Sequence, residues 1–468
     1  MGNRTGLRVF TIIFVLCLIV SICNGQSDSI VLTYQEYLEN LVNYHPIAKK
    51  ANLRIKSGEA ELLAAKGNLD PVLSSNWDQK NFDDKLYYRL YQAKLKFPTI
   101  LGIDVVGGYE NSEGVFLNPE NTTDAFGLWN VGVEVNILQG LIVNERKIAL
   151  DQAKVFQALA KNEQQIILNE LVYNASSAYF LWQEYHYSQE VLSENISIAN
   201  TYFENTKQSF YNGEKTAMDT LEAFVLYQDA ITLFQKNELT LIKSRQNVEN
   251  YLWYDDAPIT LQEITKPENY KNPFFQNDAV FENSILTNHP IILAAINELS
   301  YLEIEQKLKR EKLKPKLKIK YNPLLATSEN SIAPNYSIAD YKWGFDFSMP
   351  LPLRSERADI QRGEIKLREK ELDIQYKRNE LLNKIESSLQ QQALLQEQLI
   401  LLNQNVENYK LLLEGENEKF RLGESSVFLL NKRQEKYIDG QLKLIEIYIK
   451  QQIEMLNYLY YSNQLINK

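Results

Sequence analysis

Cysteine is nearly missing from this 468-residue sequence: the only two, Cys17 and Cys23, lie in its first 25 residues. There Arg4 and Arg8 precede an apolar run from Val9 to Ile22, and Cys23-Asn24-Gly25-Gln26 follows with small and polar residues. That order of charge, apolar run and small residues is the pattern of a secretory signal peptide, and about 14 apolar residues are short for a membrane-spanning helix. We expect residues 1–25 to be the signal peptide, with cleavage after Gly25. The rest of the chain then has no thiol or disulfide chemistry. A lipid-modified Cys23 is the competing reading, which Val20 and Ile22 fit poorly.

Long apolar runs are lacking too. Beyond the leader nothing reaches the roughly 18 consecutive apolar residues of a transmembrane helix, so any membrane crossing falls to strands. Positive charge is in deficit: 50 Lys and Arg stand against 60 Asp and Glu, net −10, and losing Arg4 and Arg8 makes it −12. An acidic exported chain is a poor candidate for nucleic-acid binding. Histidine is scarce: His45, His186 and His289 are the only three. HExxH, P-loop, GxSxG and CxxC patterns are all missing, so hydrolase, NTPase and redox chemistry have no residues to work with. We expect no enzyme activity, catalytic residue, cofactor or metal. The composition, 44% hydrophobic and 24% charged, is that of an ordered chain.

What is present is an internal repetition. Asn43-Tyr44-His45-Pro46-Ile47 returns as Thr287-Asn288-His289-Pro290-Ile291, and Leu69-Asp70-Pro71 returns as Leu313-Lys314-Pro315, both at an offset of 244. Gly132 in "WNVGVEVNI" aligns with Gly344 in "YKWGFDFSM", and Phe210, Gly213 and Glu214 align with Phe420, Gly423 and Glu424. Four anchors in the same order point to duplication, and the shared His-Pro dipeptides then read as structural turns rather than metal ligands.

Each copy predicts a helix, then strands, then a long helical stretch. In the strands Trp129, Val131, Val133, Val135 and Ile137 point one way, with Asn130, Gly132, Glu134 and Asn136 opposite. Tyr341, Trp343, Phe345 and Phe347 likewise oppose Lys342, Gly344, Asp346 and Ser348, and Lys316, Lys318 and Lys320 share the polar face of the preceding strand. A half-buried soluble sheet also alternates. The aromatic residues near strand ends and the charged opposite face instead suggest strands facing lipid on one side and a water-filled lumen on the other. Glu134 and Asp346 then read as lumen residues rather than an acid–base pair. The polar segments Asn111–Gly127 and Leu325–Asp340 are expected as loops, and Lys85–Tyr109 as an added hairpin without a counterpart in the second copy.

The helical stretches carry heptad seams. One runs through Leu395, Leu399, Leu402, Val406, Tyr409, Leu413 and Phe420, skipping a position at Glu416; the other runs through Leu192, Ile196, Ala199, Phe203, Thr206 and Phe210. Each ends at Phe, with Gly three residues on, the signature of an antiparallel helical hairpin whose glycine takes the left-handed conformation. Four clear strands cannot close a barrel, since small barrels need about 8, so several copies must share one.

Together, the His-Pro segments, the Leu-x-Pro endings, the Gly132 and Gly344 strands and the two Phe-x-x-Gly turns resemble the TolC-like outer-membrane efflux protein family over essentially the whole chain beyond the leader. The resemblance implies an α+β membrane protein with long antiparallel α-helical coiled-coil hairpins forming a periplasmic tunnel. Its strands would contribute to a shared trimeric transmembrane β-barrel, 12-stranded in the family. On that reading residues 26–252 are a first repeat with strands at about 71–138 and a hairpin tip at 213. Residues 253–284 are an equatorial linker, and residues 285–468 a second repeat with strands at about 315–350 and a tip at 423. The implied function is the passive exit duct of a tripartite efflux or type I secretion system in a Gram-negative outer membrane. The partners would be two further copies of the chain, a periplasmic adaptor, an inner-membrane pump and lipid.

The resemblance further implies that Phe210, Gly213, Glu214, Phe420, Gly423 and Glu424 mark tips that dock the adaptor. Asp219, Phe428, Leu429 and Lys432 would lie at the closed aperture, with Leu429 and Lys432 where the family carries acids. Lys432 pairing with Glu222 or Glu435 on a solvated face is an equal alternative. An exported coiled-coil scaffold with an ordinary soluble sheet remains the other reading of the whole chain.

Overall fold

The computed structural model of the protein describes residues 30–272, 274–275, 287–328 and 331–466; the expected leader and part of the 253–284 linker lie outside them. In chain order the elements are β1 (Ile30–Leu32), α1 (Tyr34–Tyr44), α2 (Pro46–Gly67), β2 (Val72–Phe82), β3 (Lys85–Pro98), β4 (Ile103–Glu113) and β5 (Leu128–Asn136). Then come α3 (Glu145–Tyr211), α4 (Ala217–Glu249), β6 (Trp253–Tyr254), β7 (Ala257–Pro258) and β8 (Thr265–Pro267). The chain continues through α5 (Pro290–Glu311), β9 (Lys316–Ser328), β10 (Ser331–Ser348), α6 (Arg354–Arg421) and α7 (Val427–Tyr461). Two compact units result, one from the described parts of 50–168 and 281–384, the other from those of 1–49, 169–280 and 385–468.

The first unit holds a six-stranded sheet in the order β10-β9-β5-β4-β3-β2, antiparallel at every step. β2 to β5 form a continuous meander, and β9 returns to pair with β5, so Val133 faces Val105 on one side and Tyr321 on the other. Lys85–Tyr109, expected as an added hairpin, supplies most of β3 and β4, which raises the strand count from four to six. The expected loop at Leu325–Asp340 is instead strand on either side of residues 329–330. Its polar composition is overridden by pairing, since Asn335 and Tyr336 oppose Ala326 and Leu325. Asn111–Gly127 is a loop beyond Glu113, with one 3-10 turn at Pro119–Asn121. Helices pack in the same unit: Gly58 of α2 lets its backbone approach Gln157 and Ala160 of α3, and Gln306 of α5 donates to the Ile360 carbonyl of α6 at 3.1 Å.

The second unit has an aromatic centre. Tyr37, Tyr179, Phe180 and Trp182 are fully buried, and buried phenols need partners because an unpaired polar group in an apolar interior is costly. The Tyr34 hydroxyl meets Ser176 Oγ at 2.7 Å, Tyr37 donates to the Ala175 carbonyl at 3.2 Å, and Tyr179 donates to the Leu32 carbonyl at 2.7 Å. This last contact anchors β1, which pairs in parallel with β8. His45 and His289 each accept, through Nδ1, the backbone N–H two residues on at 3.2 Å, so both His-Pro dipeptides build helix starts.

Long helices run side by side here. Phe203 of α3 packs on Phe224 and Tyr227 of α4, while Asn237 of α4 reaches Tyr185 and Gln189 of α3, an antiparallel order centred on Gly213. In α6 and α7, Leu395 and Leu399 cluster with Leu444 and Ile447. Of the expected seam positions, Leu192, Ala199, Thr206, Leu395 and Leu399 are buried, Phe210 is exposed and the others are half-buried.

Candidate functional site

The sheet carries two chemically opposite faces. Tracing the register from Trp129, the first face holds Tyr109 and Val105 on β4, Tyr91, Leu95 and Phe97 on β3, and Trp77 on β2. Toward the other edge it holds Ile319 and Tyr321 on β9 and Tyr341, Trp343, Phe345 and Phe347 on β10. Aromatic contacts link strand to strand: Trp77–Tyr91 at 5.9 Å between ring centroids, Tyr91–Tyr109 at 6.2 Å and Tyr109–Trp129 at 4.9 Å. Most of these apolar side chains are exposed, Val131 of the same face at 53% and Trp343 at 66%, while Tyr91, Leu95, Tyr109 and Ile319 are half-buried.

The opposite face is charged and is sheltered at the centre of the sheet, where Glu134 and Asp104 are only 4% exposed, while Asp346 on the edge strand β10 is exposed. A soluble sheet buries its apolar side; this one shows it, the arrangement expected of strands whose outer face meets lipid. Charges on the sheltered face are paired. Glu134 holds Lys318 at 2.6 Å and Lys94 at 2.8 Å, Asp104 holds Arg146 at 2.6 Å and Lys96 at 2.7 Å, and Asp346 holds Lys320 at 2.7 Å. Lys316 lines a cleft of about 460 Å³ with Lys318, Asp346 and Arg146. Lys342 of β10 reaches Glu110 of β4 at 2.5 Å across the two intervening strands, so the charged face is the concave one.

The sequence sets Lys316, Lys318 and Lys320 on one polar face, and two of the three ion-pair there, Lys318 with Glu134 and Lys320 with Asp346. Sequence reasoning missed Lys94 and Lys96, although alternation in "QAKLKF" sets them on the same face. Gly132 of β5 is needed for close approach, since a Cβ there would strike the Tyr321 carbonyl and Asn322 on β9, whereas Gly344 of β10 faces open space.

In the helical unit the two glycine turns share one hydrogen-bond pattern. Gly213 (φ +79°) donates to the Phe210 carbonyl and Glu214 to the Ser209 carbonyl, both at 2.9 Å; Gly423 (φ +81°) donates to Phe420 at 3.1 Å and Glu424 to Lys419 at 2.9 Å. This pair of bonds is the Schellman helix stop, and the positive φ explains the glycine. The spacing Phe-x-x-Gly-Glu therefore encodes a turn.

After each turn the next helix is capped differently. Thr216 and Asp219 form a reciprocal capping box on α4, and the hydrogen bonds from Thr216 hold the Asp219 carboxyl below the usual carboxylate range. On α7 Ser426 caps alone, accepting from Leu429 N at 3.3 Å. Lys432 pairs with Glu435 at 2.8 Å, and Phe428 and Leu429 are exposed. Lys432, Phe428, Glu222 and Asp229 line a common cleft of about 620 Å³ between α4 and α7. The seam's gap at Glu416 has a polar use that the heptad pattern does not show: its carboxylate accepts from Ser425 Oγ at 2.5 Å and meets Arg433 at 3.5 Å, tying α6, the turn and α7 together. Phe420 also touches Tyr202 of α3, with ring centroids 5.9 Å apart, and Lys215 at 4.8 Å. No group of three His, Cys, Asp or Glu suited to a metal occurs among the described residues, and no described helix is long and apolar enough to cross a membrane.

Comparison with solved structures decides the fold. A membrane protein from Pseudomonas aeruginosa superposes with a TM-score of 0.68 at 14% identity, covering 92% of this chain and 93% of that one. The Campylobacter jejuni CmeC outer membrane channel gives 0.67 at 11% identity over 92% and 85% of the two chains. The Vibrio cholerae outer membrane protein VceC gives 0.66 at 12% identity over 92% and 95%. The fold is that of the TolC-like outer-membrane channels. No family model matches the sequence, and no curated protein matches it. At 11–14% identity the TolC-like fold is carried by the order of elements and the pattern of faces, not by individual residues.

Proposed function

We propose that the chain is an outer-membrane channel, the passive exit duct of a tripartite efflux or type I secretion system, working as a homotrimer with a periplasmic adaptor and an inner-membrane pump. The observation that carries this reading is the inverted sheet: Trp129, Val131, Trp343 and Phe345 outward, and Glu134, Asp104 and Lys318 on the concave side. Only a lipid surround makes that arrangement favourable, because it places apolar side chains against hydrocarbon and charges against lumen water. The TolC-like fold supports it, since the neighbours CmeC and VceC are named as outer membrane proteins, the former as a channel. In this reading residues 1–25 export the chain and its two repeats supply equivalent hairpins. The turns at Phe210–Glu214 and Phe420–Glu424 meet the adaptor, while Asp219, Phe428, Leu429 and Lys432 stand near the closed aperture. Energy comes from the pump, so the duct itself performs no chemistry.

Planar-bilayer recording of the purified full-length protein tests this, with Lys432→Asp beside it. Stable conductance steps are expected, with selectivity moving toward cations in the variant if position 432 lines the constriction. Folded protein that gives no steps, even with its turns loosened, would sink the channel reading.

A further inference from the structure

The two strands beyond the expected four lie inside the sheet rather than at its rim. β3 and β4 stand between β2 and β5, so the hairpin widens the sheet while its edges remain β2 and β10. A plug or surface flap would break the pattern of faces. Instead Tyr91, Leu95, Phe97, Val105 and Tyr109 continue the apolar face in register with β5, and the row of aromatic contacts passes unbroken through both strands. On the concave face the hairpin is bound into the same ion-pair network, Lys94 to Glu134 and Lys96 to Asp104. At 14 and 11 residues, β3 and β4 are long enough to cross a bilayer, which takes about 9–11 tilted residues.

We propose that β3 and β4 are part of the membrane wall, and that β2 of one copy pairs with β10 of the next so that three copies close an 18-stranded barrel rather than a 12-stranded one. This rests on the channel reading. Six strands are too few to close alone, since small barrels need about 8, and an unpaired edge is not tolerated in lipid. The occupant of each edge is therefore another copy of the chain. Topology permits it: in an all-antiparallel sheet with an even number of strands the first and last run oppositely, so β10 meets the next copy's β2 antiparallel and the ring closes without a parallel seam. Inserting strands in pairs preserves that parity. Barrel diameter grows roughly linearly with strand number, which makes this pore about 1.5 times as wide as a 12-stranded one. An exit of that width suits bulkier cargo than a 12-stranded mouth passes.

The test uses full-length protein in liposomes with single cysteines at Val131, Leu95 and Lys94, each carrying a fluorophore, quenched either by brominated lipid or by aqueous iodide. Native mass of the detergent-solubilised protein gives the copy number. The proposal expects Val131→Cys and Leu95→Cys to be quenched by lipid, Lys94→Cys by iodide, and a mass of three chains. If Val131→Cys reports lipid but Leu95→Cys reports water, the hairpin is outside the wall and this inference falls while the channel reading stands. A two-chain mass overturns the 18-strand count in the same way, and iodide quenching at Val131 itself overturns the channel reading.

Discussion

Lys318 Nζ lies 2.6 Å from Glu134 Oε2, on adjacent strands of a sheet whose other face is bare valine and tryptophan. Glu134 also takes Lys94 from β3, so one carboxylate joins β3, β5 and β9 across the charged face.

Replacing it isolates the effect of that charge. Glu134→Gln keeps the shape and leaves Lys94 and Lys318 without that counter-charge, so on the proposed channel reading the lumen becomes more positive and the reversal potential under a salt gradient moves toward anions. Lys318→Gln moves it the other way. Loss of the charge-assisted bonds costs about 1.5–3 kcal/mol at most, read as a lower melting temperature of the detergent-solubilised protein. Two variants shifting selectivity in the same direction would show that these groups do not face the conducting path.

Gly213 and Gly423 predict a purely conformational penalty. Neither has any atom within 4 Å of an added Cβ, so steric crowding is absent and only the positive φ resists a side chain. Each Gly→Ala change should cost about 1–2 kcal/mol, and Gly→Asn less, because asparagine tolerates the left-handed region. Hydrogen exchange at residues 209–220 and 419–430 reads the loosening; equal exchange in the Ala and Asn variants would contradict the argument.

How far sequence reveals this molecule depends on whether a pattern is local. The turn at Gly213 was legible because the Schellman stop is written in five consecutive residues, and the face of Trp129 to Val135 because alternation fixes it. Leu325–Asp340 misled because its Ser, Asn and Asp content resembles a loop, whereas its strand character comes from a partner strand. Asp219 carries a second, equally local signal: Thr216 three residues before it makes a capping box on α4, which its matching position in the resemblance neither shows nor excludes. Pairings such as Lys94 with Glu134 depend on the order of strands in the sheet, which no single strand records.

The cap itself titrates. Because hydrogen bonds from Thr216 lower the Asp219 pKa, its contribution is complete above the ordinary carboxylate pKa of about 3.9 and is lost as pH falls through the lower folded value. Asp219→Ala should loosen the start of α4 by about 1 kcal/mol at neutral pH and matter progressively less as pH falls below the ordinary carboxylate range. Ser426 caps α7 with Leu429 in the Asp219 position, so no cap carboxylate titrates there; acid sensitivity at the second turn comes instead from Glu416, whose carboxyl the Ser425 hydroxyl and Arg433 hold below the usual range, and Glu416→Gln should remove it. Hydrogen exchange at residues 216–222 and 426–432 across this range compares the two.

Glu184 of α3 gives the opposite sign. Burial, reinforced by the nearby Glu446 charge and only partly offset by Lys443, raises its pKa to about 7 from an ordinary 4.5. Between those values the folded state holds a proton that the unfolded chain has released, so stability falls as pH rises from about 4.5 to 7 and then levels out. Glu184→Gln removes that titration. Thermal unfolding should find the variant more stable than the parent at pH 7.5, with the difference shrinking toward pH 4.5 as the parent's carboxyl becomes protonated in both states. A variant whose stability relative to the parent stays constant across this range would mean that Glu184 is ionised in the folded chain and that Lys443 compensates its charge.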